Sequence, residues 1–171
     1  MKRAFLVVVF GLAAVVAVWT RLPATVWYRE GRPTRFGRLT NRAMAAWSGA
    51  GLPPRIQQTL EVERRRTGGV LSLPVVIAEV GGQRYLVSML GEKAAWVANV
   101  RAAGGRAVLR SRRREDVQLE EVPIEDRAPI LRAYVKRAPG ARPHFDPGPG
   151  DPVDAFAAVA GAYPVFRITP A

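Results

Sequence analysis

The chain has 171 residues, enough for one domain with a hydrophobic core and an appended segment. It contains no cysteine and one histidine, His144, which excludes disulfides and thiolate chemistry, and no metal site is predicted. The formal net charge of +12 indicates an anionic partner: nucleic acid, an anionic lipid surface or an anionic small molecule.

Residues 4–19 form an unbroken apolar run behind a basic start. A membrane-spanning helix needs about 20 apolar residues, and residues 20–22, with Arg21 snorkelling, extend the run to that length. We therefore predict a transmembrane anchor over residues 1–22. A cleaved signal peptide and an interfacial or buried helix are the alternatives, although no Ala-x-Ala cleavage pattern follows the run.

The basic residues around this run predict its orientation. Two of them precede the run, and more follow it: Arg21, Arg29, Arg32, Arg35, Arg38 and Arg42. Because the more basic flank stays in the cytoplasm, we expect membrane localisation with the C-terminal domain on the cytoplasmic side.

Residues 23–56 are predicted to be a connector followed by an amphipathic helix. The connector contains Pro23, Gly31 and Pro33. Apolar residues then recur at helical spacing, and the helix is basic: Phe36, Leu39, Ala43, Met44 and Trp47. Such a helix either docks on the domain or lies along the membrane.

Residues 57–171 read as short strands with helices inserted between them. Strands are predicted at 57–63, 70–77, 84–90, 106–110, 117–122 and 163–168, and helices at 93–103, 129–137 and about 152–159. Residues 111–116 are expected to form a polar turn, and residues 138–152 a loop that carries His144. This order fits a partly open antiparallel barrel of the α+β class.

The turn at residues 64–69 is the most distinctive local feature. It carries three consecutive arginines and two glycines, a combination that suits a phosphate because guanidinium groups and backbone N–H groups both donate to it. A solvated turn on a basic protein is the alternative. Downstream, Trp96 and Asn99 stand three residues apart and so share one helix face.

Taken in this order, the motifs resemble the split-barrel deazaflavin-dependent nitroreductase family, over about residues 36–168. In that family the first hairpin turn reads Gly-Arg-Lys-Ser/Thr-Gly and a proline follows. The matching residues here are Arg65, Arg66, Thr67, Gly68 and Pro74. The family's Trp-x-x-Asn-Leu segment corresponds to residues 96–100, but the Pro-Arg pair after the turn is Val70-Leu71 and the loop at 91–95 is short.

The resemblance implies a split antiparallel barrel of about six strands that binds the deazaflavin coenzyme F420. Arg65, Arg66 and Thr67 are expected to hold the phosphate, and Gly68 to allow close backbone approach. Trp96 and Asn99 are expected to shape the pocket near the ring. Core packing is the alternative for Trp96, and bracing of the backbone is the alternative for Asn99.

The expected function is a membrane-anchored oxidoreductase that transfers hydride to a lipophilic acceptor such as a quinone. No catalytic residue is assigned, because the coenzyme carries the hydride chemistry. A carrier of a fatty acid or similar ligand on the same fold is the alternative. A module that binds anionic lipid or nucleic acid is disfavoured because no stacking platform accompanies the charge, and no nucleic-acid partner is expected. Split-barrel relatives are often dimers, so the resemblance allows a homodimer, although no residue of this sequence decides the oligomeric state.

Overall fold

The computed structural model describes residues 28–29, 32–34, 37, 39–40, 43–44 and 57–171. The predicted anchor lies outside these residues, and so does most of the connector. Within the described residues, no helix has the length and apolar character needed to cross a bilayer. Strand β1 (Tyr28–Arg29) pairs antiparallel with β2 (Arg32–Pro33), and the described residues at 37, 39–40 and 43–44 are helical, where the amphipathic helix was expected.

Six further strands form an antiparallel barrel with the order β3-β4-β5-β8-β7-β6. Their bounds are β3 Gln57–Glu63, β4 Val70–Val80, β5 Gln83–Val87, β6 Arg106–Arg110, β7 Arg114–Glu121 and β8 Val165–Pro170. Pairing of β3 with β6 closes the ladder. The six-stranded antiparallel barrel of the α+β class is confirmed, and its ladder is closed.

Three helices are inserted between the strands: α1 (Ala95–Ala102), α2 (Arg127–Arg137) and α3 (Val153–Val159). Single 3₁₀ segments lie at Gly91–Lys93, Ile124–Asp126, Pro139–His144 and Ala160–Ala162. The prediction of a loop over residues 138–152 therefore missed the 3₁₀ segment Pro139–His144. This segment contains two prolines and is short, as 3₁₀ segments usually are.

Four strands differ in their bounds from the prediction. Strand β4 continues to Val80 rather than ending at 77, and β5 covers Gln83–Val87 rather than 84–90, because residues 77–80 pair with residues 83–86 across the turn at 81–82. Strand β7 begins at Arg114 rather than 117, because residues 114–116 complete the ladder with β6 although their side chains are charged. Strand β8 covers Val165–Pro170 rather than 163–168, because Tyr163 ends the preceding 3₁₀ turn and Pro164 follows it.

The barrel walls separate two apolar clusters. The inner cluster contains Leu60, Leu86, Val97, Val117 and Phe166 among others, and α1 packs into it. The outer cluster lies between the barrel wall and helices α2 and α3 and includes the four residues of α2 predicted to face inward: Ile130, Leu131, Tyr134 and Val135. Successive strand residues point to opposite faces, so at the end of β5 Leu86 is buried in the inner cluster and Val87 in the outer cluster.

The two halves of β4 pair with different strands. Residues 77–80 pair with β5, whereas the described ladder pairs residues 70–76 with β3 alone. The reason is that β5 ends at Val87 and the chain leaves the barrel through a turn at Gly91. Residues 70–76 are called the free half of β4 below. Pro74, which has no N–H, lies there, a position that suits proline.

Candidate functional site

The basic turn at residues 64–69 is closed by its own backbone. The N–H of Arg64 donates to the carbonyl of Gly69 at 2.7 Å, and the N–H groups of Thr67 and Gly68 donate to the carbonyl of Arg64 at 3.2 and 2.9 Å. Gly68 has φ of 67°, the left-handed conformation in which other residues are strained. No heavy atom comes closer than 3.9 Å to a Cβ built at Gly68, so the conformation alone accounts for this glycine.

A side chain from α1 braces the turn. The Oδ1 atom of Asn99 accepts a hydrogen bond from the backbone N–H of Arg65 at 3.4 Å. Asn99 is only 7% exposed, so this contact lies at the edge of the core. The structure thus joins the two motifs of the sequence analysis and gives Asn99 the bracing contact that was its alternative interpretation.

The exposed face of the turn carries several unused hydrogen-bond donors. Arg65, Arg66 and Thr67 are exposed, and their side chains form no ion pair or hydrogen bond with any described residue. The backbone N–H groups of Arg66 and Gly69 likewise donate to no acceptor among the described residues. Two guanidinium groups, a hydroxyl and two amides form a donor set that fits a phosphate.

One charged residue beside the turn was not singled out in the sequence. The Oε1 atom of Glu63 lies 3.9 Å from the Cβ position at Gly68, which places a negative charge next to the turn. Arg106, at the start of β6, is exposed and forms no ion pair with a described residue, and its Nη1 atom lies 3.9 Å from the Cβ position at Gly104.

Trp96 and Pro74 lie away from the exposed face of the turn. Trp96 is 8% exposed and packs on Phe166 in the inner cluster, with ring centroids 5.4 Å apart. Pro74 is half-buried on the free half of β4, opposite Thr59. The structure therefore brings Arg65, Arg66, Thr67, Gly68 and Asn99 together, and it gives Trp96 the core contacts that were its alternative.

Ion pairs hold the short loop before α1. Arg101 on α1 donates to Glu92 at 2.7 and 3.0 Å and to Glu121 on β7 at 2.8 and 2.7 Å. The Arg101 guanidinium lowers the pKa of the Glu92 carboxyl, so Glu92 is ionised at neutral pH. The loop at residues 91–95 is thereby tied to both the helix that carries Asn99 and the barrel wall.

Comparisons with known proteins bear on the fold. Neither a protein-family model nor a curated protein matches the chain. Among solved structures, an F420-H2 dependent reductase (FDR-A) is 17% identical over 67% of this chain and 95% of its own, with a TM-score of 0.47. A structure described as a domain-swapped dimer is 15% identical over 78% of this chain and 96% of its own, with a TM-score of 0.50. A heme binding protein from Mycobacterium smegmatis is 15% identical over 74% of this chain and 51% of its own, with a TM-score of 0.45.

At these identities the likeness is one of fold. The domain-swapped dimer aligns over 96% of its own length, and this chain has the six-stranded barrel. The split-barrel fold implied by the sequence resemblance is therefore confirmed.

Proposed function

We propose that this protein is a deazaflavin-dependent oxidoreductase that binds coenzyme F420 at the basic turn and reduces a lipophilic acceptor such as a quinone. The observation that carries the proposal is the turn itself, a backbone-closed loop with two unpaired arginines and two unused amides, braced by Asn99. A bound deazaflavin supplies the hydride chemistry, and the protein supplies binding and orientation.

Each residue of the turn has a stated role in this proposal. Arg65 and Arg66 bind the phosphate through bidentate, charge-assisted hydrogen bonds. The hydroxyl of Thr67 donates another hydrogen bond to the same phosphate. Gly68 adopts the left-handed backbone conformation that this turn requires. Asn99 fixes the turn relative to α1, so that the coenzyme's phosphate end and its ring are held in one orientation.

The proposal includes a membrane anchor at residues 1–22 with the barrel on the cytoplasmic side. Its support is the apolar run at residues 4–19 and the excess of arginines behind it. An anchor keeps the domain near bilayer-dissolved molecules, which favours a quinone over a soluble nitro compound as acceptor. Recovery of the full-length protein in the soluble fraction would contradict the anchor. A reporter fused after Ala171 that is active only outside the cytoplasm would contradict the orientation.

The phosphate role is tested by the double variant Arg65→Ala/Arg66→Ala, titrated with F420. Each lost charge-assisted hydrogen bond lowers affinity about tenfold or more, so the double variant is expected to bind at least tens of fold more weakly. The matched control is Arg112→Ala/Arg113→Ala, at the turn between β6 and β7. It removes the same charge from two exposed, unpaired arginines at the opposite end of the barrel.

Equal loss in both double variants would mean that net charge alone attracts the coenzyme. If Arg65→Ala/Arg66→Ala binds F420 as tightly as the wild type does, the two arginines belong to a solvated turn and do not bind the phosphate.

A carrier of a fatty acid or similar ligand is the second candidate. One exposed apolar side chain favours it: Val70, at the start of the free half of β4, is 61% exposed. Copurification of a fatty acid, together with no F420 binding at high coenzyme concentration, would establish the carrier and reject the reductase.

A further inference from the structure

The turn between β6 and β7 carries two exposed arginines, Arg112 and Arg113. Neither side chain forms an ion pair or a hydrogen bond with a described residue. The backbone closes the turn, because the N–H of Ser111 donates to the carbonyl of Arg113 at 3.1 Å. We call residues 111–113 the hairpin tip. It holds two neighbouring guanidinium groups, whose planar forks match the oxygens of a phosphate.

The acidic side chains around the hairpin tip already have partners. Each acidic residue of the adjoining strand segments pairs with an arginine: Glu61 with Arg110, Glu79 with Arg137, Glu115 with Arg84, and Asp116 with Arg114. These pairs cancel in charge, and a guanidinium group stays protonated at any physiological pH. The positive charge of the hairpin tip is therefore permanent and is not neutralised by its neighbours.

The hairpin tip lies at the end of the barrel where the chain enters it. Arg110 lies opposite Thr59 in the register of β6 with β3, which places the tip beside the start of β3 at Gln57. The basic turn at residues 64–69 follows the other end of β3. In sequence, residues 23–56 connect Gln57 to the predicted anchor. Of the two ends of the barrel, the one with the hairpin tip is thus nearer to the anchor along the chain.

An anionic bilayer surface matches this arrangement. If the barrel is on the cytoplasmic side, it faces a leaflet that contains anionic phospholipids, and arginines near such a surface are attracted to it. The anchor also raises the effective concentration of the tip at the bilayer. Nucleic acid is the other anionic surface to consider, but residues 110–114 include no aromatic side chain on which a base could stack.

We propose that the hairpin tip is a membrane-contact site, in which Arg112 and Arg113 bind the phosphate groups of anionic phospholipids. The basic turn, at the opposite end of the barrel, then remains exposed to the solution from which a soluble coenzyme binds. This inference rests on the membrane anchor of the proposed function and is independent of the binding of F420.

The test places one fluorescent label on the hairpin tip. Because the chain has no cysteine, Ser111→Cys supplies a single labelling site. The labelled full-length protein is incorporated into nanodiscs that contain a lipid with a nitroxide on its headgroup. We expect the nitroxide to quench the label in discs of equal parts phosphatidylcholine and phosphatidylglycerol, and much less in discs of phosphatidylcholine alone. A label at Thr67→Cys, in the exposed basic turn, is expected to stay unquenched in both.

Substitution of the two arginines tests their role directly. Each arginine near an anionic surface favours the contact about fivefold, so Arg112→Ala/Arg113→Ala is expected to weaken it roughly 25-fold and to abolish most of the quenching at residue 111. The pair Arg112→Lys/Arg113→Lys keeps the charge and is expected to retain most of the quenching. Quenching that is equal in the alanine variant and its parent would overturn the inference, because the arginines would then play no part in the contact.

The matched charge control lies at the opposite end of the barrel. Arg65→Ala/Arg66→Ala removes the same charge from the basic turn, and the quenching at residue 111 is expected to stay unchanged. Stronger quenching at residue 67 than at residue 111 would overturn the inference, since the basic turn would then face the bilayer. A label at residue 111 that is unquenched in both lipid compositions would also overturn it and would show a solvated turn.

The anchor and the tip contact fail in different ways. A full-length protein that stays in solution without detergent rejects the anchor, and vesicles that contain phosphatidylglycerol then test the tip alone: binding that Arg112→Ala/Arg113→Ala abolishes keeps the lipid contact, and no binding rejects it. Quenching at the tip without any binding of F420 rejects the reductase and keeps the membrane contact. Binding of a short RNA duplex that is lost in the alanine variant, without quenching by lipid, would assign the tip to nucleic acid and overturn the inference.

Discussion

At the scale of single residues, Asn99 has the most informative position. Its Oδ1 atom accepts a hydrogen bond from the backbone N–H of Arg65, and the two residues are 34 positions apart in the chain. Asn99 is buried, whereas the side chains of Arg65 and Arg66 are exposed. A buried amide thus orients an exposed cationic turn, and two interpretations of Asn99, a brace for the turn and a direct ligand contact, become separable by experiment.

Asn99→Leu removes the acceptor and keeps the side-chain bulk. We expect amide hydrogen exchange at Arg65 to accelerate, F420 affinity to fall, and the free energy of unfolding to drop by about 1 kcal/mol. The control Thr169→Val removes a comparable side-chain hydrogen bond, to the carbonyl of Gln118, at a distance from the turn. If F420 affinity falls while exchange at Arg65 stays as in the wild type, Asn99 touches the coenzyme directly and the bracing role is wrong.

At the scale of secondary-structure elements, a buried arginine joins α2 to the barrel. Arg127 is 5% exposed and donates to the carbonyls of Val122 at 2.9 Å, Tyr163 at 3.2 Å and Ala160 at 3.4 Å. It also pairs with Glu121 at 3.1 Å. One side chain thus satisfies acceptors from the segment after β7 and the segment before β8, both of which border the outer cluster.

Arg127→Met should leave those carbonyls without their buried donor. We expect the free energy of unfolding to fall by about 2–3 kcal/mol in urea denaturation, because unpaired buried acceptors cost more than a typical hydrogen bond contributes. Arg132→Met is the control on the same helix, since its hydrogen bond to the carbonyl of Asp151 is exposed, and it should change stability by about 0.5 kcal/mol or less. Similar losses of unfolding free energy in the two variants would show that the buried hydrogen bonds of Arg127 stabilise the fold no more than an exposed one does.

At the scale of the whole molecule, the free half of β4 has one edge that pairs with no described strand. Unpaired strand edges with apolar side chains invite pairing with another chain, and Val70 in this segment is 61% exposed. If the protein forms the homodimer that the family resemblance allows, we expect this edge to lie in the interface.

Val70→Lys places a charge on that edge without touching the core. We expect it to shift the protein from dimer to monomer in analytical ultracentrifugation, because a lysine on an edge strand opposes edge pairing. Ile124→Lys is the matched control, since Ile124 is also exposed, at 54%, and lies outside the barrel strands. A wild-type protein that sediments as a monomer would reject the interface at once.

The sequence by itself determined the elements whose signals are local. Alternation of apolar and polar residues predicted β3 and β6 with the bounds that the structure has. Paired glycines predicted the turns at 81–82 and 104–105, where all four residues have positive φ, a conformation that glycine adopts without strain. The basic turn and the Trp-x-x-Asn helix were likewise visible, because each depends on a few neighbouring residues.

Only the tertiary structure decided how these elements meet. Closure of the ladder between β3 and β6 and the contact of Asn99 with Arg65 both depend on segments that are far apart in the chain. The close approach of Gly91 to the carbonyl oxygen of Ala162 depends on such a contact as well. Local patterns report which face of a strand is buried, but the choice of partner and register is made by packing of the whole core.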